Sequence, residues 1–262
     1  MHSPAATGSW ADGPLLALDL ETTDVEPRRD RIVTASVVVI TPGAEGAKPD
    51  VRVRTWLADP GVPIPASATA IHGISTEQAR AEGRPVGEVV AEVEALLAEL
   101  WTASTPLCAF NAPFDLTMLD AELLRHHGRS LRVSGPVVDP LCVDRALDPR
   151  RVGKRTLGAV CEHHGVRLEG AHTSAGDALA AARLAWKLAR VHPVEVGGIA
   201  LSELHERQVG WFREQELVYA AGVDRRIDQA EAEGRDSSWL RRRAAAVRRN
   251  SESWPVLPES EG

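Results

Sequence analysis

Two carboxylic acids, Asp19 and Glu21, close a short apolar run, Leu15-Leu16-Ala17-Leu18-Asp19-Leu20-Glu21-Thr22-Thr23. The run has the length and apolar density of a buried strand. Side chains alternate along a strand, so Leu15, Ala17, Asp19 and Glu21 share one face and Leu16, Leu18 and Leu20 the other. Two acids side by side at the end of a core strand raise each other's pKa and destabilise the site unless a cation lies between them. Oxygen ligands of this kind suit a hard divalent ion, Mg²⁺ or Mn²⁺. A pair of surface acids at a strand end is the plainer alternative, but the apolar run directly before them favours the metal.

Two later segments offer partners. In Asn111-Ala112-Pro113-Phe114-Asp115, Pro113 suits the first helical position and places Asp115 in the first turn. An acid there also has a purely structural explanation, because it complements the helix dipole. In His172-Thr173-Ser174-Ala175-Gly176-Asp177, Ser174 and Asp177 have the spacing of a helix-capping pair. The chemical alternative makes Asp177 a metal ligand at a helix start, with His172 on the loop before it. A neutral imidazole that titrates near pH 7 is suited to removing a proton from water.

The elements that must carry these residues follow from periodicity. After the first strand, residues 22–31 form a charged turn. Ile32 to Ile40 is β-branched and forms a second strand, and residues 41–50 form a hairpin loop. Val51 to Leu57 alternates as a third strand with one solvated face, so the fold opens as a three-strand meander. A proline-rich loop over 60–65 leads to Ile71-His72-Gly73-Ile74. Helical spacing appears over 86–101, 114–127, 156–164 and 175–190, with short strands at 106–110 and 137–139. This order is that of an α/β fold. Residues 1–13 are small and polar, a composition that predicts disorder. The body spans 14–192; Val196-Gly197-Gly198 reads as a linker, and 193–262 as a helical extension with sparse apolar anchors.

Composition narrows the function. A hydrophobic fraction of 44% suffices for a core. A formal net charge of −7 excludes a protein that coats polyanions generally, so any nucleic-acid contact rests on a local basic patch. Three unevenly spaced cysteines, Cys108, Cys142 and Cys161, make neither a disulfide framework nor a zinc site, and the expected location is a reducing cytoplasm. No apolar run reaches membrane-spanning length, so no membrane partner is expected.

Taken together, Asp-x-Glu on an early strand, an Asp at a mid-chain strand-to-helix junction and a late His-x4-Asp resemble the DEDDh 3′–5′ exonuclease superfamily. Within it the chain is similar to the bacterial DNA polymerase III epsilon (proofreading) family. Supporting matches are Asp19-Leu20-Glu21-Thr22-Thr23, Ile71-His72-Gly73-Ile74, Asn111-Ala112-Pro113-Phe114-Asp115 and Lys154-Arg155-Thr156-Leu157. The sister branch carries Tyr four residues before the last Asp. The only tyrosine here, Tyr219, lies beyond Asp177, which leaves the histidine branch.

The resemblance implies a ribonuclease-H-like fold, a five-stranded mixed sheet flanked by helices. It implies two divalent ions, about 4 Å apart, with Asp19 bridging them and Glu21 and Asp177 completing the first site. Asp115 would act through water or at the second ion, and His172 would deprotonate the attacking water. Thr22, Thr23, Ile71, His72, Gly73, Asn111 and Phe114 would hold the terminal nucleotide, although Phe114 is equally explained as a core aromatic and His72 as a loop residue. The substrate implied is single-stranded DNA or a frayed 3′ end, released as nucleoside 5′-monophosphate, and fraying is easiest at a mismatched terminus.

An RNA-trimming exoribonuclease and a non-catalytic subunit that grips 3′ ends are the competing functions; a DNA polymerase or repair partner fits the first. Arg150-Arg151 and Lys154-Arg155 form the one dense basic cluster of the body, fitting either a solvated helix start or phosphate tracking. Arg241-Arg242-Arg243 and Arg248-Arg249 read as a solvated helix.

Overall fold

Strand β1 (Leu15–Thr22) is the axis of the molecule, and its two faces separate two hydrophobic cores. The structure, a computed structural model, describes residues 8–44 and 47–259. Leu16, Leu18 and Leu20 enter one core, and Leu15 and Ala17 enter the other, as strand alternation requires. Asp19 and Glu21 therefore continue the second face beyond its last apolar residue.

β1 pairs antiparallel with β2 (Ile32–Thr41), and β2 with β3 (Asp50–Asp59). On the other side β1 pairs parallel with β5 (Leu107–Cys108), and β5 with β6 (Val137–Val138). The expected meander and both short strands are present. The sheet nevertheless has six strands rather than five, in the order β4-β3-β2-β1-β5-β6. The additional strand, β4 (Arg84–Pro85), is two residues long and pairs parallel with Ala58 and Asp59. A dipeptide ending in proline carries no periodic signal, and proline is tolerated at a sheet edge.

Between β3 and β4 lie α1 (Ala66–His72) and α2 (Thr76–Glu82), each seven residues. The first core is covered by α3 (Val86–Leu100) and α4 (Ala112–His127), which supply Val89, Val93, Leu97, Leu116, Leu119 and Leu123. The second is covered chiefly by α7 (Ser174–Val191), with Val143 of α5 (Pro140–Leu147) and Val160 of α6 (Leu157–His164). The result is a helix–sheet–helix sandwich with antiparallel strands on one side of a parallel trio. α5 was not forecast from the sequence.

The C-terminal segment departs most from expectation. Val196 and Gly197 are buried in a tight turn rather than forming an open linker. A Cβ at Gly197 would stand 2.2 Å from the Ala189 carbonyl oxygen, so only glycine permits this approach. Helix α8 (Leu201–Ala232), about 48 Å long at 1.5 Å per residue, then lies against β6. Gln208 is fully buried there: its Nε2 donates to the Val137 carbonyl at 2.8 Å, and its Oε1 accepts from Asp139 N–H at 2.7 Å. The Val137 N–H donates to His205 Nδ1 at 3.1 Å. Side chains of α8 thus take the place of a further strand along β6.

Leu204 and Phe212 join the two cores from α8. After α9 (Ser238–Asn250) the chain returns, placing Trp254 in the first core. The Leu257 N–H donates to Thr117 Oγ1 at 2.8 Å. At the other end, disorder was expected over residues 1–13; residues 1–7 lie outside the described residues, and the chain is ordered from Trp10. A single 3₁₀ turn, Trp10–Asp12, buries Ala11, and the Trp10 indole donates to the Val196 carbonyl at 2.8 Å.

Candidate active site

Three of the four acids converge at the C-terminal edge of β1. One carboxylate oxygen each from Asp19, Glu21 and Asp177 lie within 4.8 Å of one another. Asp19 and Glu21 come from the strand. Asp177 comes from the first turn of α7, which packs across the same face. The capping pair expected there is arranged differently. Thr173, not Ser174, is the N-cap, accepting from Gly176 N–H at 3.2 Å and donating to the Gly170 carbonyl at 2.7 Å. Ser174 is buried and bonds the hydroxyls of Ser36 and Thr34 at 2.8 and 3.1 Å, which fixes the helix start to β2.

Gly176 makes room for the preceding loop. A Cβ there would stand 2.3 Å from the Gly170 carbonyl oxygen. His172 occupies the end of that loop, exposed, with φ +65°, a conformation uncommon outside glycine.

The fourth acid, Asp115, does not join the trio at ligand distance but adjoins it. β5 ends at Cys108, opposite Ala17, so the Leu20 N–H of β1 has no strand to bond. It donates to Asp115 Oδ1 at 3.0 Å. That bond fixes the N-terminus of α4 to the strand between Asp19 and Glu21. Asp115 is buried, so the helix-dipole explanation for it is incomplete.

Electrostatically these acids are uncompensated. Burial, then the charges of Asp115, Asp177 and Glu21, hold Asp19 well above the ordinary carboxylate range. Burial and Asp177 push Glu21 up to about 7. Asp115 is raised by burial, with its bond from Leu20 opposing and the charges of Asp139 and Glu21 adding. Asp177 is raised by burial against the opposing pull of His172, and its Oδ1 is buried without a hydrogen-bond partner. Among the described residues no Arg or Lys pairs with any of the four.

Such a cluster fits a divalent cation. The donors are all carboxylate oxygens, they are close together, and one of them has an unsatisfied buried atom.

The residues around the cluster divide. Ile71 is exposed, His72 half-buried and Gly73, in the left-handed region, caps α1. His72 Nδ1 accepts from Ile74 N–H at 3.1 Å, its Nε2 is buried without a partner, and its ring meets the Thr22 backbone. The loop therefore adjoins the end of β1. Thr22 donates its hydroxyl to the Asp24 carbonyl at 2.7 Å. Thr23 is buried and its Oγ1 accepts from Arg31 N–H at 3.0 Å, so this hydroxyl closes the β1–β2 turn. Phe114 packs on the first core while remaining partly exposed. Asn111 is exposed, adopts φ +64° and makes no side-chain cap.

One supporting residue was not singled out from sequence. Asp139, after β6, accepts from Asn111 N–H at 2.9 Å and Ala112 N–H at 3.0 Å, and also from Leu141 N–H at 2.9 Å. It joins the entry of α4, which carries Asp115, to the start of α5. Burial pushes its pKa up to about 6, against those backbone bonds. The Asp139-Pro140 pair was the available signal, an N-cap acid followed by proline at the first helical position.

Two of the four residues of the basic cluster are spent on structure. Arg151 and Arg155 both pair with buried Asp144, whose other oxygen meets His164 Nε2 at 2.8 Å. Phosphate tracking by those two arginines is therefore secondary to holding α5 and α6 together.

An α/β sandwich with clustered acids at one edge of its sheet fits the fold of a nuclease. The comparisons with known proteins agree. Residues 16–185 match the family model described as exonuclease (RNase_T), and the chain belongs to that family. Over 170 residues it is 32% identical to a DNA polymerase III subunit epsilon-like protein of Rhodobacter capsulatus, covering 64% of this chain and 22% of that protein. Its fold is similar to the zinc-bound exonuclease I–single-stranded DNA complex of Escherichia coli, with TM-score 0.56 and 20% identity over 70% of this chain and 42% of the other. Exonuclease I of Methylocaldum szegediense gives TM-score 0.53 and 22% identity, over 70% and 41%. The chain thus spans about a fifth of the curated relative and two fifths of the solved structures. The ribonuclease-H-like fold implied by the motifs is the one observed. No helix among the described residues is long and apolar enough to cross a membrane.

Proposed function

We propose that the chain is a divalent-cation-dependent 3′–5′ exonuclease acting on single-stranded or frayed DNA 3′ ends. The observation that carries this is the meeting of Asp19, Glu21 and Asp177 within 4.8 Å, with no Arg or Lys paired to them among the described residues. Those three residues would hold the first cation, and Asp115, whose Oδ1 accepts from the Leu20 N–H, would serve a second. Magnesium or manganese bound there neutralises phosphate charge and lowers the pKa of water.

The chain's own groups supply the rest. His172, exposed beside Asp177, takes a proton from the water that attacks phosphorus. The bond from phosphorus to the preceding nucleotide's O3′ breaks, and that oxygen leaves as a hydroxyl after gaining a proton from solvent. A nucleoside 5′-monophosphate is released. The Thr22 backbone and Ile71, His72 and Gly73 hold the terminal nucleotide, and Asn111 and Phe114 border it from α4. The Rhodobacter relative's name associates that protein with DNA polymerase III; the partner proposed for this chain is the 3′ end itself.

The test is nucleotide release by the purified protein from 5′-labelled single-stranded, mismatched and paired DNA, and from matched RNA, with Mg²⁺, Mn²⁺ or EDTA. Stepwise shortening from the 3′ end of DNA with either metal, fastest on unpaired termini and stopped by EDTA, is expected. Faster trimming of RNA would reassign the substrate. No release from any 3′-ended substrate would remove the enzymatic function and leave a 3′-end-binding subunit.

A further inference from the structure

A cleft of about 670 Å³ opens between α5 with its following loop on one side and α8 and α9 on the other. It is within the size range of small-ligand sites, about 300–1,000 Å³. One wall is Asn111, the residue between β5 and α4 that directly precedes the turn carrying Asp115. The strands β1, β5 and β6 run parallel, so the ends that carry Asp19, Asn111 and Asp139 all lie on one edge of the sheet. The cleft continues that edge away from β1, on the β5–β6 side. The Ile71–Gly73 loop lies on the opposite, β2, side, where the neighbouring Ile64 and Ala68 pack with Val33. The carboxylates sit between the two.

The lining differs from the acidic surface elsewhere. Arg145, Arg151, Arg155 and Arg243 face it, as do Trp211 and Tyr219. The Arg243 guanidinium lies over the Tyr219 ring, 5.6 Å from its centroid. The four guanidiniums outnumber the acids that oppose them, Glu214 and Glu216 in the wall and Asp144 beneath Arg151 and Arg155. Burial also raises the pKa of Glu216 toward its neutral form, against Arg145 and Arg243. Cationic groups beside an exposed aromatic ring, here Tyr219, suit single-stranded nucleic acid, with phosphates on the cations and a base on the ring.

We propose that this cleft binds the substrate strand on the 5′ side of the scissile phosphate, with phosphates on Arg145 and Arg243 and a base on Tyr219. The assignment rests on the exonuclease function proposed above, because the terminal nucleotide occupies the β2 side and the remaining strand must leave on the other. It also gives the C-terminal helices a role in substrate binding, since α8 and α9 supply Trp211, Tyr219 and Arg243.

Arg145→Ala, Tyr219→Ala and Arg243→Ala test it; Tyr219 and Arg243 are exposed, so the fold should survive, and Trp211 is left intact because it packs on both cores. The probes are oligothymidylates of two, four, eight and twelve nucleotides. For the natural chain KM should fall with length. The Tyr219→Ala, Arg243→Ala double variant should raise KM for the twelve-mer by tenfold or more, on the order of what unstacking one base costs. The kcat and the dinucleotide KM should not change. Each arginine variant should also flatten the dependence of affinity on salt, by about 0.7 in slope for every phosphate left without its cation. Variants that hydrolyse DNA with the natural length dependence would overturn the cleft but leave the exonuclease function standing. Should the natural chain release nothing, the exonuclease function fails separately. Fluorescence anisotropy with the labelled twelve-mer in EDTA then decides the cleft: weakened binding in the variants supports it, and unchanged binding overturns it.

Discussion

Asp144 and Asp19 are the same kind of side chain under opposite electrostatic conditions. Asp144 sits beneath Arg151, Arg155 and His164. Burial would raise its pKa, but the bonds from His164 and Arg155 and the charge of Arg151 outweigh that and lower it. Glu122 is similarly enclosed, by Arg31 at 2.8 Å, Arg125 at 2.9 Å and His126 at 3.1 Å. Asp19 has only other acids around it, and its pKa rises. The chain therefore has arginines available for buried acids, yet among the described residues no Arg or Lys pairs with the acids at the β1 edge. Compensated acids hold elements together, whereas an uncompensated cluster is unstable by itself and would be stabilised by the cation proposed for it.

The sharpest way to break this contrast is Asp177→Asn. It should lower turnover by about 10³-fold or more, the equivalent of several kcal/mol of lost electrostatic stabilisation. Its metal-free melting temperature should stay level or rise. Near-normal initial rates would place the cation elsewhere. His172→Ala should slow the reaction by about 10²–10⁴-fold, and calorimetric titration should show Mn²⁺ affinity intact.

Asp144→Asn should do the reverse. Removing the charge from beneath two mostly buried guanidiniums should destabilise the fold by about 3 kcal/mol in denaturant titration, while turnover per folded molecule is retained. If both substitutions acted alike, the division between structural and functional acids would fail.

Metal removal sharpens the comparison further, with a smaller effect. Glu21 has a folded pKa of about 7 against 4.5 as a free side chain. The folded state therefore holds its proton to higher pH than the unfolded chain does. In EDTA that difference makes the protein less stable as pH rises from 5 to 8. Asp19, Asp115 and Asp177 act in the same direction, and His172 opposes them near Asp177. Melting temperatures measured across that range should fall in EDTA and level out with Mn²⁺. A flat profile without metal would show that the acids do not repel.

The legible parts of the molecule were those governed by local period. Alternation along β1 correctly divided Leu16, Leu18 and Leu20 from Leu15 and Ala17 and put Asp19 and Glu21 on one face. The 3.6-residue stripe located α3, α4, α6 and α7 within a few residues. What could not be read depends on distant partners. Gln208 and His205 look like the solvated face of a charged helix until β6 is placed beneath them. Arg151 and Arg155 look free until Asp144 is seen. Thr173 and Ser174 are both competent caps, and only the proximity of Ser36 and Thr34 decides which one turns inward. Thr23 was expected at the substrate, and the bond its hydroxyl accepts from the Arg31 N–H across the turn was not legible.

The bonding of α8 along β6 has a consequence for solubility. A parallel sheet left with a bare outer strand offers a row of amide donors and carbonyl acceptors to any other extended chain. At one border Pro85 has no N–H to offer, and at the other Gln208 and His205 occupy the groups that a visiting strand would need. Trimming the protein back to its catalytic body would therefore leave a self-adhesive surface prone to aggregation, even where every acid of the active site remained in place.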